Sequence, residues 1–332
     1  MHFENIAEGV RLCTQNTDKF KPCRINFSMA MPLDSDASAR AILPFILHRR
    51  CAKYPDFIAF SRVLDELYGA AISAGVIKRG EAQILSFSMT AIDDRFALDG
   101  DTVALECVQL LTDIIFDPLT DGESFPADIV EQEKRLLVEM IENEMNDKRR
   151  YALTRCEEIM FKDEAYSINR LGSVDEVKAL TPEKVYSAWK DVLRRATIQV
   201  TMVGSMDIEP VADILKSKFS SIDRDVAKID TVFVNEVNQP EYICEEMPIK
   251  QGKLVMGFRT GMADEYDNSV PMRIAVDIFG GGTYSKLFSV VREKMSLCYY
   301  CSAALFSSKG VVMVQSGIED INEEKAKNEI LN

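Results

Sequence analysis

Apolar residues alternate through Cys23–Met31, where Ile25, Phe27, Met29 and Met31 share one side, and that period of two predicts a half-buried strand. Asp34, Ser35 and Asp36 then supply helix-start chemistry ahead of the apolar run Ala39–Leu47. A second helix is expected over Asp56–Tyr68, closed by Gly69. Two strands follow, Ala70–Ile77 and Gln83–Ile92, joined by the turn residues Lys78, Arg79, Gly80 and Glu81. Val103, Cys107, Leu110, Leu111 and Ile114 recur at helical spacing and mark the inner face of another helix. Residues 127–160 hold no Gly or Pro, which predicts one long helix or two closely joined. Helix Pro182–Leu193, strand Thr197–Val203 and helix Ile208–Phe219 come next.

Between Ser220 and Gln251 the helical period is lost, Pro240 and Pro248 interrupt the chain, and the charges are mixed, as in an interdomain connection. The order then begins again. Gly252–Thr260 reads as a strand, Asn268–Phe279 and Tyr284–Glu293 as helices, and Leu297–Phe306 with Gly310–Ile318 as a hairpin. An offset of about 228 residues lays Ile25 on Leu254 and Leu64 on Val291. The expected fold class is α+β, a tandem repeat of two homologous sheet-plus-helix domains. Residues 1–225 form the first domain, 226–251 a linker and 252–332 the second. That second copy stops in an opening helix, NEEKAKNEILN, so it is expected to be incomplete and the sequence to be a truncated product.

Composition narrows the partners. The chain has 332 residues, 47% of them hydrophobic, enough for more than one core. Its 53 acidic and 39 basic residues give a net charge of −14, which repels a nucleic-acid backbone or an anionic membrane, so neither is expected as a partner. The N-terminus lacks a basic-then-apolar leader pattern, and no run nears the roughly 18 apolar residues that span a bilayer. Eight cysteines are scattered through apolar patterns, as reduced buried thiols are, so a cytoplasmic location without disulfides is expected.

The segment Phe279–Tyr299, FGGGTYSKLFSVVREKMSLCY, carries the most specific chemistry. Gly280, Gly281 and Gly282 allow positive φ or a close backbone approach after an apolar helix. A short helix then presents Arg292, and Tyr299 enters a strand seven residues later. A guanidinium and a phenol beside a strand edge can hold the carbonyl of an extended peptide. The same residues also fit a helix cap, a solvated arginine and a core tyrosine.

This segment, extended by Tyr300, resembles the pitrilysin/insulinase family of zinc peptidases, whose pattern runs LGGG, SxLF, then REKxGLxY. IKQGKLVMGFRTG, DIFGGG, EAYSINRLGSVDEVKALTPEKV and IQVTMVGSMDIEPVADIL resemble further landmarks in the family's order. The resemblance covers nearly the whole chain. It implies two homologous insulinase-like domains around a chamber for unfolded peptides, with Arg292 and Tyr299 as the substrate-binding pair opposite the metal. Ser296 stands where the family has Gly.

The zinc half departs from the family. Active members carry H-x-x-E-H on an early helix and a later Glu as third ligand. The matching positions read Pro44-Phe45-Ile46-Leu47-His48, so only the last His is kept. Zinc hydrolysis needs about three protein ligands and a base, and neither Pro44 nor Leu47 can serve. Glu131, Glu133, Glu139, Glu142 and Glu144 include the region of the third ligand, and they read otherwise as a solvated helix face.

The expectation is therefore a silent subunit with no metal or other cofactor of its own, zinc belonging to a homologous partner subunit. Unfolded peptide is its expected ligand, and self-association is the alternative to such a heterodimer. Two rival readings stand beside it: a scaffold protein with no substrate role, and an active peptidase with an unorthodox metal site. Cys298 and Cys301 form a C-x-x-C, but on a regular strand their sulfurs point to opposite faces, which argues against a redox pair. Neither GxGxxG nor GxxxxGK[ST] is present, and neither His2 nor His48 lies in a recognisable triad.

Overall fold

Cys23, Ile25, Phe27, Met29 and Met31 all lie on the buried side of one strand, as their alternation predicts. The computed structural model describes residues 1–98, 100–237, 239–262 and 266–332. Its first elements are strands β1 (His2–Ala7), β2 (Val10–Asn16) and β3 (Pro22–Pro32) and helices α1 (Ala37–Ala41), α2 (Leu43–Leu47) and α3 (Phe57–Glu66). Strands β4 (Ala71–Arg79) and β5 (Ala82–Ile92) follow, then helices α4 (Val103–Phe116), α5 (Ala127–Asn146) and α6 (Lys148–Met160). Helices α7 (Val174–Ala179) and α8 (Pro182–Arg195), strand β6 (Thr197–Gly204) and helix α9 (Glu209–Ser220) come next. After an irregular stretch stand β7 (Gly252–Arg259), α10 (Tyr266–Gly280), a π-helical segment (Leu287–Lys294), β8 (Cys298–Phe306), β9 (Val311–Ile318) and α11 (Glu323–Leu331). The fold is α+β.

The chain divides into two units, Met1–Ile141 with Ile168–Asp230, and Glu142–Ser167 with Thr231–Asn332. In the first, six strands lie in the order β1-β2-β6-β3-β5-β4, with β2 and β6 parallel and the other pairs antiparallel. Helices α4, α8 and α9 cover it with Val103, Cys107, Leu111, Val185, Val192 and Leu215, all buried in the same core as Leu12, Ile25 and Phe27. Local chemistry sets the helix starts. The Asp56 side chain accepts from the Ala59 amide at 2.8 Å, Ser173 and Glu176 form a capping box, and Thr181 with Pro182 begins α8. The break between α5 and α6 falls at Asp147, whose carboxylate accepts from the amides of Arg149 and Arg150 at 3.0 and 3.2 Å.

In the second unit three strands lie in the order β7-β9-β8, both pairs antiparallel. This repeats the connectivity of β3-β5-β4, where a strand, intervening helices and a hairpin place the hairpin's second strand in the middle. Val312, Val314 and Ile318 of β9 pack against Val276, Leu287, Val291 and Ile330. Its other face carries Val311 and Met313 against Leu153, Met160, Phe161 and Tyr166. A Cβ on Gly257 of β7 would meet Met160 Sδ at 2.6 Å, so the missing side chain makes room for the thioether of Met160. The stretch 142–167, although it lies inside the expected first domain 1–225, thus packs with the second unit.

A buried ionic cluster holds that stretch. Glu164 takes Arg259 Nη2 at 2.7 Å and Lys309 Nζ at 2.6 Å, and the three side chains are 4%, 7% and 0% exposed. Phe161 lies edge-on to Tyr166 and beneath the Arg259 guanidinium. The connection ahead of β7 has no helix or strand among its described residues and runs as a strap over the same unit. Tyr151 Oη and Arg155 Nε donate to Glu245 at 2.8 and 2.9 Å, and Lys162 Nζ donates to Glu241 at 3.2 Å. No described helix is long and apolar enough to cross a membrane.

Removing the carboxylate from this cluster takes away the charge of Glu164 from the buried Arg259 and Lys309 cations. Glu164→Ala is expected to destabilise the second unit by about 3–5 kcal/mol. Hydrogen exchange should show lost protection in β7, β9 and α6, with β3, β5 and β6 retaining theirs.

Candidate functional site

Helix α2 begins one residue after α1 ends, with Pro44 in its first turn, where the missing amide hydrogen costs nothing. Pro44, Ile46 and Leu47 are buried, and Leu47 packs in the core with Leu43 and Ile46. His48 caps the helix C-terminus. Its Nδ1 lies 2.9 Å from the Pro44 carbonyl and 3.0 Å from that of Phe45, so this nitrogen donates to the helix it ends. Burial lowers the His48 pKa, and the Arg49 guanidinium lowers it further, against the opposing pull of the two carbonyls. The neutral imidazole is thereby favoured.

The acidic face of α5 is not uniformly solvated. Glu133 is 1% exposed and lies 3.6 Å from Arg49 Nη1, with its second oxygen unpartnered. Burial raises its pKa, and Arg49 and Arg50 oppose that rise. The charges set against this buried carboxylate are the guanidinium groups of Arg49 and Arg50. No group of three or more His, Cys, Asp or Glu able to hold a metal occurs among the described residues. Pro44 and Leu47 offer no donor, which leaves the Nε2 of His48 as a single ligand where about three are needed. The residues do not fit zinc.

Arg292 and Tyr299 lie in the second unit on a segment with three successive departures from regular backbone. Leu287–Lys294 forms π-type hydrogen bonds, including Met295 N to Val290 O at 2.9 Å, where a plain helix was expected over Tyr284–Glu293. Ser296 follows at φ 51°, the left-handed region that suits glycine. The β8–β9 register then slips between Cys298 and Tyr300, a bulge that leaves Tyr299 unpaired. Such strain persists where surrounding packing over-determines it, and it gathers at sites of function.

The glycine triplet acts through proximity. Gly280, Gly281 and Gly282 have no positive φ, but a Cβ on Gly280 would meet the Ala303 amide nitrogen at 2.4 Å. The end of α10 therefore rests directly on β8. The Arg292 guanidinium lies 4.5 Å from the Phe288 ring centroid, with Nε 3.6 Å from a Glu293 oxygen. Tyr299 is 58% exposed, and its hydroxyl donates to Glu319 at 3.2 Å. That hydrogen bond raises the phenol pKa, which keeps Tyr299 a proton donor. Each side chain is held by its own partner and is open to solvent. Phe288 was findable as the residue four before Arg292 on a helix; nothing in the sequence pointed to Glu319.

The bulge also overturns the expected placement of the C-x-x-C. Cys298 pairs with Ile318 and Cys301 with Ser316, two positions apart on β9, so both sulfurs fall on one face. Tyr300 goes to the other face, where its ring occupies the space of a Gly317 side chain and Arg149 stacks over it at 4.3 Å.

The peptidase M16 inactive domain matches residues 179–332. The probable inactive metalloprotease YmfF of Bacillus subtilis strain 168 is 33% identical over 311 residues, covering 93% of this chain and 73% of that protein. A conserved protein from Enterococcus faecalis V583, of solved structure, superposes with a TM-score of 0.92 at 26% identity, covering 99% of this chain and 78% of that one. A peptidase M16 inactive domain from Pseudomonas fluorescens shares the fold, with a TM-score of 0.74 at 17% identity over 99% of this chain and 77% of that one.

Two outcomes follow. A folded-state histidine pKa below its ordinary 6.5 leaves stability intact above that pH, and stability declines as pH falls from it. Urea unfolding midpoints between pH 8 and 5 should show this decline, and His48→Asn, which keeps a donor for the helix carbonyls, should lack that part of the slope. Ser296→Gly should raise stability by about 1 kcal/mol by relieving the left-handed backbone, read as a higher denaturation midpoint.

Proposed function

This chain belongs to the M16 peptidase family, the pitrilysin/insulinase group, as an inactive homologue, and on that premise we propose that it captures unfolded peptide for a zinc-bearing partner subunit. The observation that carries the reading is an asymmetry between the two sites. Helix α2 and its cap retain one imidazole and no further metal donor, while Arg292 and Tyr299 stand exposed on a backbone that departs from regular form.

In this role the Arg292 guanidinium, braced on Phe288, donates charge-assisted hydrogen bonds to a peptide carbonyl. Tyr299 turns from Glu319 and donates a second. Both strengthen as negative charge develops on that oxygen. Hydrolysis belongs to the partner, a homologous chain with an intact H-x-x-E-H; self-association in place of that pairing would hold peptide without cutting it. No nucleic acid or membrane takes part, and the eight unbonded cysteines support a cytoplasmic setting.

The test is a reconstituted pair of this chain and its zinc-bearing homologue, with a fluorogenic unstructured peptide as substrate. Arg292→Ala should lower the cleavage rate about 10²-fold, the scale of losing one donor to a developing oxyanion, while the isolated chain should bind peptide without cutting it. An unchanged rate in the Arg292→Ala pair, with no peptide binding by the isolated chain, would leave a scaffold role in its place.

A further inference from the structure

The slipped register of the β8–β9 hairpin brings together two thiols that a regular strand would separate. Cys298 faces Ile318, Tyr300 faces Gly317 and Cys301 faces Ser316, so Tyr299 is the extra residue and both cysteines share the inner face. That face is the apolar cluster of Leu297, Val314 and Ile318, in which Cys301 is 5% exposed and Cys298 is packed at the margin. Burial raises the pKa of both thiols, and beside that effect Cys301 lowers the pKa of Cys298 while Cys298 raises that of Cys301.

We propose that Cys298 and Cys301 are a reversible dithiol site, closing to an intramolecular disulfide on reaction with a low-molecular-weight disulfide. Cys298 is the point of entry, being the more exposed of the two; burial raises its pKa, and Ser316, Cys301 and the charge of Arg292 oppose that rise. It attacks one sulfur of the small disulfide, forming a mixed disulfide and expelling one thiolate. That thiolate takes the Cys301 proton. Cys301 then attacks the Cys298 sulfur and expels the second thiolate, which leaves with the proton that Cys298 gave up. The protein pair loses two electrons, and one small disulfide becomes two thiols.

Burial pushes the Cys301 thiol up to about 12, so the second step is slow and the pair is unsuited to turnover as an oxidoreductase. It suits a site that records sustained oxidation. The closed ring contains Tyr299 and Tyr300, and closure fixes the bulge that aims Tyr299 outward. The chemistry holds whether or not Arg292 and Tyr299 touch a peptide.

The native full chain is incubated with oxidised glutathione, denatured in acid, alkylated with iodoacetamide and digested with trypsin. Cleavage after Lys294 and Lys309 releases Met295–Lys309, which holds both cysteines and no other. The expected product is this peptide lighter by two hydrogens and refractory to alkylation until reduced. Cys301→Ser should stop at a glutathione adduct on Cys298, and Cys298→Ser should yield no adduct in the peptide. Wild-type peptide alkylated at both positions, or carrying glutathione on both, overturns the proposal.

Discussion

Strand β9 is buried on both faces, and the second unit is organised by having to cover it twice. One cover comes from elements in sequence with it, α10, the π-helical segment and α11, through Val276, Leu287, Val291 and Ile330. The other comes from far back in the chain, where Leu153, Met160, Phe161 and Tyr166 meet Val311 and Met313. The borrowed stretch brings a carboxylate, Glu164, into an apolar setting. An unpaired ion there is unfavourable by several kcal/mol. Arg259 at the end of β7 and Lys309 in the hairpin turn supply the charges, so one cluster joins the edge strand, the turn and the borrowed stretch.

The first unit shows how a fold outlasts its chemistry. Nothing in the six-stranded sheet requires a donor on α2, and Pro44 and Leu47 serve packing as histidine and glutamate could not. His48 is kept by a different demand, the carbonyls left open at a helix end. Glu133 stays buried because guanidinium groups face it. The inactive character is therefore written into the interior, where reversing it means replacing apolar side chains already in contact with their neighbours.

Much of the architecture was legible because period and burial agree. Strands β3, β5 and β6 and helices α4 and α8 end within about two residues of where alternation, capping residues and Pro or Gly place them. The degenerate motif was legible from side-chain chemistry alone, since a pyrrolidine ring cannot ligate a metal. What escaped depends on partners distant in sequence. The residues of α6 have a helical pattern whichever sheet they cover, and Gly257 is an unremarkable strand glycine until Met160 is seen against it. The bulge at Tyr299 is set by Gly317, whose missing side chain makes room for Tyr300, so the inference that Cys298 and Cys301 face apart failed with the assumption of a regular ladder. Glu133 was misread for the same reason, because an acidic run on a helix does not reveal which member turns inward.

The strap before β7 is fastened differently from everything around it. Its described residues join no ladder, and at the surface Glu245 meets Arg155 and Tyr151 of α6 while Glu241 meets Lys162 just beyond it. Dissolved ions weaken such attractions within a Debye length of about 10 Å at 0.1 M and hardly touch contacts made by excluding water. Raising ionic strength therefore slackens the strap at Glu241 and Glu245, while the carbonyls of Val232 and Val234, held by Lys309 and Arg259, and the sheet beneath stay as they are.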